Sequence, residues 1–183
     1  MEAPLQLDRV SPGVLSREQL RHRILDPHQP LVTELVHLDA QLQPNGLDVT
    51  LRSISRYDGS GAIGAQNADR VLPELSPVAF DEEGWAALDA GPYHIVYNEV
   101  VHLPPDLMAL GRPRSSVTRS GAAIHTAVWD AGYSGRSTSL LTVYHPGGFR
   151  VQRNARVMQL VFMSLAVATA AGYEGAYQHE NVG

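Results

Sequence analysis

Three places in this chain carry residue types and spacings that could do chemistry. The first is "TAVWDAGYSG" (126–135), where Asp130 stands between a tryptophan and a glycine-rich bend. From Arg112 to Arg156 the chain has seven arginines and this single acid, while the other 138 residues have seven arginines and eighteen acids. The segment is therefore strongly basic within a chain whose formal net charge is −5. A lone carboxylate in such surroundings is either a structural ion-pair partner or a working base. Gly132 and Gly135 flank Tyr133, and glycines suit a tight bend. That bend would hold Asp130 at the end of one strand and Tyr133 at the start of the bend; the plainer reading is an aspartate that caps the turn.

The second place is "RPRSSVTRSG" (112–121). Pro113 stiffens the backbone ahead of Arg114, Ser115 and Ser116, and Arg119 follows. Adjacent hydroxyls and free N–H groups at a turn or helix start can hold an anion, and arginine's planar fork suits phosphate. A serine-capped turn is the alternative. The third is "ARVMQLVF" (155–162), with Gln159 as the one polar side chain after Arg156 in an apolar strand; an edge or interface glutamine is the alternative. Two weaker patterns carry nothing. "GSGAIG" (59–64) completes G-x-G-x-x-G, but Pro73 and Pro77 follow where a dinucleotide fold needs a helix, so it reads as a surface loop. The eight histidines show no H-E-x-x-H or similar spacing, so no set of protein metal ligands is expected.

These residues need a scaffold to position them. At 183 residues, with 44% hydrophobic and 18% charged side chains, one globular domain over 1–183 is expected. Cysteine is absent, which excludes disulfides and thiol chemistry, and every basic residue is arginine. The stretch at 1–10 lacks the basic and apolar regions of a secretory leader, and the apolar tract 157–171 is short and interrupted. A soluble, cytoplasmic protein that binds neither membrane nor nucleic acid is the expectation, since phosphate tracking needs an extended basic surface. Ser16 and Gln19 form a capping-box pattern, and Leu20, Ile24 and Leu25 fall on one helical face before Pro27. Strands are expected at 47–55, 93–103, 122–129, 139–145 and 156–167, joined by Gly- and Pro-rich turns. That pattern predicts a sandwich or jelly roll. Residues 172–183 read as a mobile tail.

Taken in order, these stretches resemble the dUTPase/dCTP deaminase superfamily. "LSREQLRHRIL" is similar to the deaminase-type N-terminal helix, "QPNGLDVTL" to its "QPxSxDLxL" strand, and "VVHLPPDLMALGRPRSS" to its run ending in RSS. "WDAGYSG" resembles "IDxGYxG", "ARVMQLVF" resembles "RIAQLVF", and "YEGAYQHE" resembles the tail "YxGxYQxQ". The layout looks most like the archaeal-type dUTPase branch. The resemblance implies an all-β-dominated, distorted jelly-roll barrel with a short N-terminal helix. Deaminases carry a glutamate ten positions after the aspartate, and here that position is Leu140. Leucine cannot move a proton to leaving ammonia, whereas phosphate-ester hydrolysis needs a base for water and charge neutralisation. Two departures stand out: Ala176 occupies a position where deaminase tails carry lysine, and the approach "IHTAVWD" is one residue short.

The resemblance thus implies Mg²⁺-assisted hydrolysis of dUTP to dUMP and diphosphate, with Asp130 activating water and the metal held mainly through the triphosphate. Arg114, Ser115, Ser116, Arg119 and Gln159 would hold phosphates. Thr126, Ala127 and Val128 would read the uracil edge, and Tyr133 would stack under the deoxyribose. Tyr173, Tyr177 and Gln178 would close over the ligand. A homotrimer with sites between subunits is implied, in which Arg119 could come from the neighbour. The alternatives are a dCTP deaminase, mono- or bifunctional, and a non-catalytic deoxynucleotide sensor.

Overall fold

The computed structural model describes residues 13–182; the leader-free reading at 1–10 lies outside these residues. In chain order the helices are α1 (Arg17–Ile24), α2 (Leu38–Gln41) and α3 (Ser115–Arg119), with a 3₁₀ turn at Asn67–Asp69. The first seven strands are β1 (Val32–Thr33), β2 (Leu42–Gln43), β3 (Gly46–Asp58), β4 (Glu74–Pro77), β5 (Trp85–Leu88), β6 (Gly91–Tyr97) and β7 (Val100–His102). They are followed by β8 (Leu107–Pro113), β9 (Ala122–His125), β10 (Val128–Trp129), β11 (Ser134–Gly135), β12 (Thr138–Val143), β13 (Phe149–Gln152) and β14 (Arg156–Ser164). Every strand pairing among the described residues is antiparallel. The fold is the expected curled, β-dominated one.

The main sheet runs β10-β8-β14-β3-β6-β12-β9. Its spine is β3, whose first half pairs with β14 and whose second half pairs with β6. Register shifts at Leu51/Ser53, and a bulge there bends the strand so that one sheet wraps around the core. The first six residues of β3 are all buried, as a central strand requires. Leu47, Ile95, Met158, Leu160 and Phe162 form the middle of that core. Helix α1 closes one end. Its capping box forms as expected, Gln19 N–H donating to Ser16 Oγ at 3.3 Å and Ser16 N–H to Gln19 Oε1 at 2.9 Å. No helix among the described residues is long and apolar enough to cross a membrane.

Three expectations need correction. Leu25 does not join the apolar face of α1; it is the C-cap residue and is 58% exposed, because the helix ends before it can turn inward. The strand expected at 93–103 is two. It breaks at Asn98–Glu99, where Asn98 N–H bonds Thr50 O (3.0 Å) and the buried Glu99 carboxylate accepts from Thr50 N–H (2.8 Å), Thr50 Oγ1 (2.6 Å) and Gln41 Nε2 (2.6 Å). Satisfying that carboxylate outweighs a continuous ladder, and β7 passes to a separate sheet with β1 and β11. The strand expected at 122–129 is also two: β9 pairs with β12, and β10 with β8. The crossing passes over Gly111, where a Cβ would lie 3.0 Å from both Thr126 Cγ2 and the Trp129 ring and 2.6 Å from Met158 Sδ.

Candidate active site

Asp130 follows directly on β10 and opens a tight turn. Tyr133 N–H donates to Asp130 O (3.1 Å), Gly132 N–H to Leu103 O (3.1 Å), and Leu103 N–H to Tyr133 O (2.8 Å). Gly132 has φ +85°, a conformation glycine adopts freely. The Asp130 side chain is exposed and forms no ion pair with the described residues. Of the two readings of this lone acid, the structural ion pair is therefore absent among the described residues.

Beside it lies a cavity of about 280 Å³ lined by residues 127–130, Tyr133, Ser137, Thr138, Tyr173, Tyr177 and Glu180. A hydrogen-bond chain runs along its wall. Trp129 Nε1 donates to Ser137 Oγ (2.5 Å), which lies 3.3 Å from the Tyr133 hydroxyl, and that hydroxyl donates to Glu180 Oε1 (2.9 Å). Burial pushes the Tyr133 hydroxyl well above its ordinary range. Burial also raises the Glu180 carboxyl, with the Tyr133 hydrogen bond opposing. Tyr173 meets Tyr133 edge-on at 5.7 Å between centroids.

The C-terminal segment forms one side of this cavity. Tyr173 N–H donates to Ala131 O (2.9 Å), His179 N–H to Ser134 O (2.7 Å), and Arg136 N–H to Glu180 O (2.9 Å). Gln178 spans the turn, accepting from Ser134 N–H (3.0 Å) and donating to Gly132 O (3.0 Å). The buried Arg136 donates to Asn181 O (3.1 Å) and pairs with Glu34 (2.6 Å). A Cβ at Gly132 would lie 2.6 Å from Gly172 Cα, so the turn and the tail are in backbone contact.

The serine pair belongs to a second cluster. Arg114 is the N-cap residue of α3, and Ser115 and Ser116 are exposed in its first turn. Arg114 Nε bonds the buried Asp48 carboxylate (2.9 Å), which Arg156 also meets (3.3 Å). Burial pushes the Asp48 carboxyl up against the pull of both guanidiniums. Gln159 lies opposite Asp48 on one side and Arg112 on the other, packed over Gly46.

Residues 14–165 match the model of a family described as dCTP deaminase-like. The chain belongs to the dCTP deaminase-like family. It is 45% identical over 169 residues to the probable deoxyuridine 5'-triphosphate nucleotidohydrolase of Methanosarcina mazei, covering 92% of this chain and 98% of that protein. With the protein of the same name from Archaeoglobus fulgidus the identity is 46% over 170 residues, 93% of this chain and 98% of that one. Among solved structures, the 2'-deoxycytidine 5'-triphosphate deaminase of Agrobacterium tumefaciens shares the fold, with a TM-score of 0.65 and 22% identity over 85% of this chain and 49% of that one.

Within this family frame, Ala127, Val128, Asp130, Tyr133, Tyr173 and Tyr177 come together around one cavity. Thr126 instead packs over Gly111, and Gln178 clamps the turn from outside the cavity lining. Arg114, Ser115, Ser116 and Gln159 do not line the cavity, and Arg119 borders a separate open hollow with Tyr144, His145 and Arg150. Sequence reasoning missed Trp129, Ser137, Thr138 and Glu180. Glu180 had a signal, since it stands where the resembling tails carry glutamine. Leu140 sits in β12 opposite His94 and His125, outside the cavity lining.

Proposed function

We propose that this chain is a dUTP diphosphatase. Water attacks the α-phosphorus of dUTP, its proton passes to the Asp130 carboxylate, the α–β bridging P–O bond breaks, and dUMP and diphosphate leave. The observation that carries this reading is Asp130 itself, a carboxylate with no ion-pair partner among the described residues, on the wall of the cavity that also holds Tyr133. Such a group is available to take a proton. Tyr133 would lie flat beneath the deoxyribose, and the backbone of 126–128 would face the base. The tail, through Tyr173, Tyr177 and Gln178, would exclude water from the closed site.

The donor chemistry fits Mg²⁺. The Glu180 carboxylate offers a hard oxygen donor at the cavity, the ligand type Mg²⁺ takes, and the substrate phosphates would supply most of the remaining oxygens. When bound, the ion would neutralise triphosphate charge. Arg114, Ser115, Ser116, Gln159 and Arg119 lie off this cavity within one chain. We place them as phosphate donors to a neighbouring copy, with Asp48 fixing Arg114, in a homotrimer acting in the cytoplasm. Donors fixed in advance are the main catalytic contribution for such transfers.

One observation favours a second reading, cytosine deamination: Glu180 places another protonatable carboxyl in the cavity. Incubation with dUTP or dCTP plus Mg²⁺, with product identification, separates the two. The expected products are dUMP and diphosphate from dUTP and no ammonia from dCTP. Ammonia release from dCTP at a rate comparable to dUTP cleavage would overturn the assignment.

A further inference from the structure

The loop between β3 and β4, read from sequence only as a surface loop, reaches the candidate site. Ala62 and Val71 exchange both backbone hydrogen bonds at 2.9 Å, which closes the loop into an ordered arm. The 3₁₀ turn at Asn67–Asp69 then presents Arg70. The Arg70 guanidinium lies over the Tyr177 ring, 5.5 Å from its centroid, and donates to the Tyr177 hydroxyl (3.2 Å) and to Asn67 Oδ1 (3.1 Å). Tyr177 lines the cavity.

Charge makes this contact informative. Among the described residues, the cavity lining contains two carboxylates, Asp130 and Glu180, and no cationic side chain. A nucleoside triphosphate carries roughly four negative charges at neutral pH, each phosphate ionising as a strong acceptor, so a cation at this wall would add to those proposed from a neighbouring copy. Arg70 has no carboxylate partner among the described residues. Two of its five N–H groups are used, which leaves donors for an anion. Its position is fixed from both sides, by Asn67 on the arm and by Tyr177 on the tail. The tail brings no charge of its own at the neighbouring position, which is Ala176.

We propose that Arg70 is a phosphate-binding residue of this site, delivered by the 59–73 arm and set in place by Tyr177 when the tail covers the cavity. This inference rests on the dUTP reading above. It makes the arm and the tail parts of one device, so that closing the tail also completes the cationic wall.

The test is equilibrium binding, with Mg²⁺, of deoxyuridine, dUMP and the non-hydrolysable α,β-imido analogue of dUTP to wild type, Arg70→Gln and Arg70→Lys. Melting temperatures of the same preparations serve as the folding control. Arg70→Gln should weaken the imido triphosphate by about 10-fold or more, the usual effect of losing a charge-assisted hydrogen bond. Deoxyuridine should be unaffected. The loss should shrink as salt rises, and lysine should restore part of it, because the charge remains. Equal losses for all three ligands would make Arg70 a mere clasp for Tyr177 and overturn the proposal, as would unchanged triphosphate binding. If wild-type protein binds none of the three, the functional reading itself fails and takes this inference with it.

Discussion

Replacing Asp130 by asparagine separates catalysis from structure at this site. The aspartate holds the turn through its backbone carbonyl, which accepts from Tyr133 N–H at 3.1 Å. Its exposed side chain has no ion pair among the described residues. Asparagine keeps that carbonyl and nearly the same volume. Stability should therefore stay within the roughly 0.5 kcal/mol usual for surface changes, which is a melting shift under about 2 °C for a chain of this size. The rate should behave differently. Losing a general base costs about 10²–10⁴-fold, or about 2.7–5.5 kcal/mol in the barrier. Affinity for the imido analogue should hold or rise, since one negative charge facing the phosphates is gone. Diphosphate release under saturating dUTP, analogue binding and thermal melting on one preparation measure all three. A folded Asp130→Asn protein with near wild-type kcat would refute the assignment of the base. So would a rate loss that merely tracks a fall in the folded fraction.

Tyr133→Ala should narrow the preference for dUTP over UTP, read as the ratio of kcat/KM values; an unchanged ratio removes the ring from sugar recognition. Gly132→Ala puts a Cβ 2.6 Å from Gly172 Cα in a backbone conformation with φ +85°. It should lower activity by about 10-fold or more through loss of tail docking while the core melts cooperatively, at a strain cost of about 1–2 kcal/mol; wild-type activity would show that the turn and tail need not touch. Glu180 gives a pH test. Burial raises its pKa from the ordinary 4.5, so the stability it contributes is present in full below about 4.5 and is lost as pH rises through the raised value. Glu180→Gln cannot ionise, so its melting temperature relative to wild type should climb across that window and then level off. A flat or falling difference would mean that Glu180 does not take up the proton in the folded state.

The elements that were legible in the sequence are those whose signals are local. The α1 capping box and the strands expected at 139–145 and 156–167 follow from local side-chain order, the structure ending them at Val143 and Ser164. The breaks at Asn98–Glu99 and Thr126–Ala127 were hidden because their causes are distant in sequence: Glu99 is satisfied by Gln41 and Thr50, and Thr126 crosses over Gly111. The same holds at the site. Asp130, Tyr133 and their glycines announce a turn, but Glu180 reaches the cavity, and Arg70 reaches the lining residue Tyr177, from segments some fifty residues or more away, through contacts no spacing encodes. Arg114 carried a phosphate-binding pattern, yet its guanidinium also holds a buried aspartate.

The turn that carries Asp130 and Tyr133 also carries the hydrogen bonds that hold the tail. Gln178 bonds Gly132 and Ser134, Tyr173 bonds Ala131, and Asn181 and Glu180 bond Arg136. Lifting the tail to free a product therefore strips partners from the backbone that aims the reacting groups. Under the proposed mechanism, a protein built this way alternates between a state competent for chemistry and a state competent for exchange. Its turnover then has a ceiling set by how fast the tail lifts and reseats, a step that would slow in viscous solvent and leave single-turnover cleavage in the preformed complex untouched.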